Sequence, residues 1–205
     1  MTIERPSQTL LNHVYQSGRR EFFFRNESAI AKLFRTFPEN KKFDHVLLKV
    51  TTLSELGNSP LWDHYGVAKA IWLLDIDPLL NENSLGVIEL ITKVDAKLYS
   101  FATKYCNWHK PDIYPIYDAY VWNMLKIYKK QHQFLCFQQK DLRNYQTLVR
   151  VLNEFKSFYG LNEFSFKQID RFLRIASMTY CESHDEPGEY LPVILPVQMR
   201  DTVLV

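Results

Sequence analysis

Apolar residues recur at three- and four-residue spacing along nearly the whole chain, as in Leu10, Leu11, Val14 and Tyr15, and again in Ile30, Leu33, Phe34 and Phe37. That period matches the turn of an amphipathic helix. The pattern predicts helices at about 7–17, 26–37, 43–56, 62–75, 84–92, 95–108, 118–131, 140–159 and 165–179. Local start signals agree: Asn26 with Glu27 in the first turn, Ser84 before an apolar run, and Ser165 ahead of Phe166, Ile169, Phe172 and Leu173. Pro38, Pro60, Pro78, Pro111 and Pro115 fall between the expected helices, where a missing N–H costs little. Residues 181–205 break the pattern, with Pro187-Gly188, Pro192 and Pro196 among alternating Val, Ile and Leu, and read as an extended tail. The expectation is an all-α body over residues 1–180 and a tail over 181–205.

Composition narrows the classes. A chain of 205 residues with 46% hydrophobic and 23% charged residues fits one compact domain, or two small lobes around a cleft. Six glycines are too few for glycine-rich nucleotide loops, which argues against Rossmann and P-loop chemistry. Three cysteines (Cys106, Cys136, Cys181) with no Cys-x-x-Cys pair build neither a disulfide framework nor a four-thiolate metal site, and are expected to be reduced. Six histidines without a His-x-x-x-His pair give no metal site, and no cofactor is expected. No apolar run approaches a membrane span and the start lacks a signal-peptide layout, so a cytoplasmic protein without a membrane partner is expected. The tail carries Glu182, Asp185, Glu186, Glu189 and Asp201 against Arg200, which leaves +6 on the body of a chain whose net charge is +2. A basic body is compatible with nucleic acid, though many other soluble enzymes share it.

The segment from Asp95 to Leu125 reads as helix, short proline-stiffened turn, helix, with Pro111 and Pro115 in the turn and Asp118 as the first polar residue of the second helix. A carboxylate at a helix N-terminus is held ionised by unpaired N–H groups and the helix dipole. Asp118 therefore reads either as an N-cap or as a functional anion.

This arrangement resembles the helix-hairpin-helix (HhH-GPD) DNA glycosylases, which remove altered bases. Ser100, Phe101, Ala102, Thr103 and Lys104 match that family's packing helix, and Tyr114, Pro115, Ile116, Tyr117 and Asp118 match its turn and catalytic aspartate. That likeness covers roughly residues 85–125; a wider one, from about Leu47 to Phe172, is to a group of short uncharacterised bacterial proteins sharing the sense of Ser-Phe-Ala-Thr-Lys-Tyr-Cys followed by Pro-Ile-Tyr-Asp. The resemblance implies a two-lobed helical glycosylase fold, a monomer acting on double-stranded DNA, and a modified base flipped from the duplex and hydrolysed off with Asp118. Developing positive charge on the deoxyribose is what a fixed anion would stabilise. Flipping the nucleotide costs a few kcal/mol, which aromatic faces offset. Tyr117, Tyr114, Trp108 and Tyr120 are the candidates to line the pocket, Tyr117 first, with most of the neighbouring aromatics expected in the core. The turn Gly57-Asn58-Ser59 after the third expected helix offers Asn58 as the residue that fills the gap in the stack.

Where the family carries a Gly-x-Gly turn that grips phosphate, this chain has Ile91-Thr92-Lys93-Val94-Asp95-Ala96-Lys97, with no glycine. Lys93 and Lys104 are candidate DNA contacts. Lys97, 21 positions before Asp118, is the candidate for the Schiff-base lysine of bifunctional members, although a monofunctional, water-using enzyme is the expectation. By analogy, the substrate is expected to be specialised, such as a phage-type glucosylated hydroxymethylcytosine removed in antiviral defence. The rival class is a non-catalytic helical module that binds protein or nucleic acid through Lys126, Lys129, Lys130, Lys140 and Arg143.

Overall fold

The computed structural model describes residues 5–7, 9 and 21–184. Helices α1 (Glu21–Thr36), α2 (Phe43–Leu56), α3 (His64–Leu73), α4 (Asp77–Asn81), α5 (Gly86–Thr92), α6 (Tyr99–His109), α7 (Ala119–His132), α8 (Tyr145–Tyr159) and α9 (Phe166–His184) follow one another, with 3₁₀ turns at Ala96–Leu98 and Gln139–Arg143. The described residues contain no strand, so the fold class is all-α. None of their helices is long and apolar enough to cross a membrane.

Three elements depart from the pattern expected of the sequence. Asp77-Pro78 opens the short helix α4 instead of lying between helices, because a proline in the first turn has no intrahelical N–H to lose. The helix expected over 140–159 is two elements, since extended backbone at Asn144 ends the 3₁₀ turn and the Asn144 side chain then accepts from Thr147 N (2.9 Å) to start α8. Helix α9 runs on to His184, so residues 181–184 are helical and not part of an extended tail. The rest of the tail, 185–205, and almost all of the helix expected at 7–17 lie outside the described residues.

Helices α1, α2, α3, α5 and α6 pack on one another in one set, and α7 packs on α9 in a second. In the second set Tyr128 of α7 meets Phe155 of α8 edge-on and stacks over Phe172 of α9. A single buried apolar cluster runs through both. Tyr99 of α6 joins them: its ring meets Tyr117 and Tyr145, and its hydroxyl donates to the Leu142 carbonyl (2.6 Å).

The first set also encloses a polar lock. Lys49 is fully buried, and its ammonium donates to Asn40 Oδ1 (2.7 Å) and the Glu39 carbonyl (3.1 Å). The Asp77 carboxylate accepts from Asn40 N (2.8 Å) and Nδ2 (2.6 Å), and the Tyr105 hydroxyl donates to Asn40 Oδ1 (2.6 Å). Lys49 Nζ also lies 3.4 Å from His109 Nε2, which makes Nε2 the acceptor and the ring neutral. Burial and then the Lys49 charge push the His109 pKa down to about 3, while burial lowers that of Lys49 to about 8. The lock ties the α1–α2 loop to α2, α4 and α6.

Candidate functional site

Helix α6 is buried along nearly its whole length, from Tyr99 to Asn107, so its polar side chains must find partners inside the protein. They find them in the turn that follows. Asn107 Nδ2 donates to the Tyr114 carbonyl (2.6 Å), Thr103 Oγ1 accepts from Tyr117 N (3.1 Å), and Tyr145 OH donates to the Pro115 carbonyl (2.9 Å). Three side chains thus hold the backbone that delivers Asp118 to the mouth of α7, where Oδ1 accepts from Val121 N (3.0 Å) as an N-cap.

The other carboxylate oxygen faces two cations. Asp118 Oδ2 lies 3.5 Å from Lys104 Nζ of α6 and 3.8 Å from Arg174 Nη2 of α9, which in turn lies 3.6 Å from Asp170. Asp118 and Lys104 are 7% and 3% exposed, so these charges act with little solvent screening. Burial works to raise the Asp118 pKa, but the Lys104 and Arg174 charges and the Val121 N–H outweigh it and hold the carboxyl below its ordinary range. Asp170 goes the other way: burial raises it despite Arg174 and Lys167. Burial also lowers the Lys104 pKa against the pull of Asp118. A capped, ionised carboxylate has been given more positive charge than a cap needs.

Lys104 and Arg174 form part of the wall of a narrow cleft between the two helix sets. Asn26, Glu27 and Ile30 of α1, Leu56, Gly57 and Asn58 after α2, Trp108 of α6, Ile116 of the turn and Lys167 of α9 complete it. Asp118 sits behind Lys104 and Arg174. Lys104 Nζ also donates to the Asn58 carbonyl (2.9 Å), which ties the Asn58 turn to the same ion cluster. Asn58 takes a left-handed φ of 51°, a conformation Asn tolerates better than most side chains.

Of the residues expected at a site, the fold brings Asp118, Lys104, Asn58 and Trp108 together. Tyr114, Tyr117, Tyr120, Lys97 and the expected role of Lys104 need correction. Tyr114, Tyr117 and Tyr120 are 0%, 6% and 6% exposed and belong to the packed interior, so they offer no face to a flipped base. Lys104 is not a phosphate contact on the surface, because its amine is turned inward onto Asp118 and two backbone carbonyls. Lys97 is exposed on the 3₁₀ turn, as is Lys93 at the end of α5, and the lysine beside Asp118 is Lys104. Of the basic run on the rival reading, Lys129 donates to the Phe137 carbonyl, while Lys126, Lys130, Lys140 and Arg143 are exposed, Arg143 beside the Tyr99 and Tyr117 rings. Cys106 is buried and burial raises its thiol pKa, which leaves it inert.

Sequence reasoning missed Glu27, Lys167, Asp170, Arg171 and Arg174. The signal was present as polar residues at helical spacing on α9, including an i,i+4 pair of Asp170 with Arg174. Such a pair ordinarily lies on a solvated face; here Asp170 is 3% exposed.

Among the described residues no group of His, Cys, Asp and Glu could hold a metal ion. Residues 8–113 match the family model described as HI_0787_N: N-terminal domain. The chain belongs to that family. The HI_0787_N match takes in the Lys49 lock, Asn58, Lys104 and Trp108 and stops short of Asp118 and α9. The chain is 33% identical over 115 residues to an uncharacterised protein of Haemophilus influenzae, an overlap of 54% of each chain, so it spans about half the length of the curated relative it matches. No solved structure matches the chain.

Proposed function

We propose that this protein removes a base from DNA by hydrolysing its N-glycosidic bond, with Asp118 as the anion that stabilises the transition state. The observation that carries the reading is the capped, buried Asp118 carboxylate, kept ionised by Lys104 and Arg174 directly behind a cleft walled by Asn58 and Trp108. As the C1′–N bond breaks, its electron pair leaves with the base and positive charge grows on the sugar; water then adds to C1′. A preformed anion in a poorly screened site favours that charge distribution over the ground state. Trp108 is the aromatic side chain of the cleft wall, its ring covered by the Lys167 ammonium (3.9 Å to the centroid), which an extruded base displaces to stack there, and Asn58 is the side chain that fills the vacated stack. Lys104, not Lys97, is the lysine beside Asp118, and as the ammonium it holds that carboxylate ionised.

The test is alkali-induced strand breakage on duplexes carrying altered bases and on phage DNA with modified cytosines. Wild type is run beside Asp118→Asn and the charge-balanced Asp118→Asn/Lys104→Met, with circular dichroism confirming folded protein. Breakage by wild type alone supports the reading. Absence of breakage on every substrate, with equal DNA binding by all three proteins, refutes it and returns Asp118 to the role of a helix cap in a binding module.

A further inference from the structure

Asp170 is buried in the ion cluster but has no part in the chemistry assigned to Asp118. It lies on α9 at 3% exposure, and neither of its carboxylate oxygens accepts a hydrogen bond from the described residues. Its ion partner is Arg174, one turn along the same helix, with Nη2 3.6 Å from Asp170 Oδ2. The same nitrogen lies 3.8 Å from Asp118 Oδ2. Both separations exceed the roughly 3.2 Å reach of an N–H···O hydrogen bond, and Arg174 Nε meets no acceptor among the described residues. The guanidinium is thus suspended between two carboxylates and completed by neither. A planar fork that closes on one of them must turn from the other.

Which way it turns depends on the charges of the two acids, because so little solvent reaches the cluster to level the difference. Asp118 is the fixed member: the Val121 N–H caps it and Lys104 is a second cation at 3.5 Å, so it stays ionised. Asp170 is the variable member. Arg174 and Lys167 of α9 favour its anion, Asp118 and Glu27 of α1 oppose it, and burial tips the sum toward the neutral acid. Glu27 is itself held by a close ion pair with Arg171. Lys104 of α6 feels both acids, and Tyr120 of α7 is the remaining titratable group near Arg174.

We infer that Asp170 is a positioning residue for Asp118, acting through the arginine they share: ionised, it draws Arg174 to itself and leaves Asp118 to Lys104; protonated, it gives Arg174 up to Asp118. With Arg174 drawn away, Asp118 keeps more uncompensated negative charge, the quantity that stabilises a sugar cation. Ionised Asp170 is therefore the productive state. The sharing itself needs no substrate, and only its effect on turnover rests on base removal by Asp118.

The full-length chain is labelled with carbon-13 at the aspartate side-chain carboxyls, and the Asp118 and Asp170 resonances, assigned by their loss in Asp118→Asn and Asp170→Asn, are followed against pH. In wild type the Asp118 signal is expected to move in two steps, its own at low pH and a second coincident with the ionisation of Asp170. Asp170→Asn should leave the first step in place, because Asp170 is neutral when Asp118 ionises, and abolish the second. Asp118→Asn should lower the Asp170 midpoint by about one pH unit or more, since a like charge is gone and Arg174 is no longer shared. A one-step Asp118 profile in wild type, which needs no variant to fold, or an Asp170 midpoint unmoved in Asp118→Asn, overturns the inference. Where alkali breakage shows base release, kcat/KM is expected to rise through the Asp170 midpoint and to lose that inflection in Asp170→Asn; an inflection kept in the variant overturns the effect on turnover. Coupled titration without base release from any substrate supports the shared arginine and sinks the reading of Asp118 as the catalytic anion.

Discussion

Replacing Asp118 by Asn separates the two roles this residue combines. Asn caps a helix about as well as Asp, so the hydrogen bond to Val121 N survives while the charge between Lys104 and Arg174 is removed. Both basic partners are largely buried, with Lys104 3% and Arg174 14% exposed, and neither can turn to bulk water without unpacking α6 from the turn or α9 from α7. Removing one member of such a buried cluster costs about 3–5 kcal/mol, a large part of the roughly 5–15 kcal/mol that holds a domain folded. Lys104→Met is expected to cost a similar amount, since it leaves Asp118 to Arg174 alone and strips donors from the Gly57 and Asn58 carbonyls. The double variant restores the charge balance, so its cost should fall short of the sum of the singles by about 1–3 kcal/mol. Urea unfolding followed by circular dichroism, at constant m-value, measures all four corners of the cycle. Additivity within about 0.5 kcal/mol, or an Asp118→Asn cost near zero, would show that the charge is screened and that Asp118 acts only as a cap.

The polar lock gives two pH signatures. The folded His109 pKa, about 3, lies below the unfolded value of 6.5, so the unfolded chain takes up the proton first; stability is full above 6.5 and falls as the pH drops toward 3. By pH 4.5 the loss should reach about 2.7 kcal/mol relative to His109→Gln, measured by chemical unfolding at each pH, and parallel curves for the two proteins would refute it. Lys49 titrates near 8 when folded and 10.5 when unfolded, so the unfolded chain holds more protons between those values and stability rises with pH across that window. The rise should be about 3 kcal/mol relative to Lys49→Met, and a flat difference between pH 8 and 10.5 would mean that the buried ammonium is fully compensated by Asp77 and its carbonyl partners.

The helical class was legible because it depends on a local property, the three- and four-residue recurrence of apolar side chains, which burial of one helix face requires whatever the topology. The mouth of α7 was legible for the same reason: Pro115 and Asp118 are short-range signals for a turn and a cap. Helix α4 escaped because Asp77-Pro78 reads equally as a loop and as a first turn. The identity of the lysine beside Asp118 was not in the linear order at all. Lys97 and Lys104 both precede Asp118 at plausible separations, and only the direction in which α6 presents its buried face puts Lys104 against the carboxylate. Aromatic type likewise did not say which rings face a cleft; packing sent Tyr114, Tyr117 and Tyr120 inward and left Trp108 on the wall. The α9 cations were beyond reach because a charged stripe on an amphipathic helix looks the same whether it meets water or a buried carboxylate. The docking of α9 on α7 makes the difference, by removing the solvent that would otherwise have screened Asp118, Asp170 and Arg174 from one another.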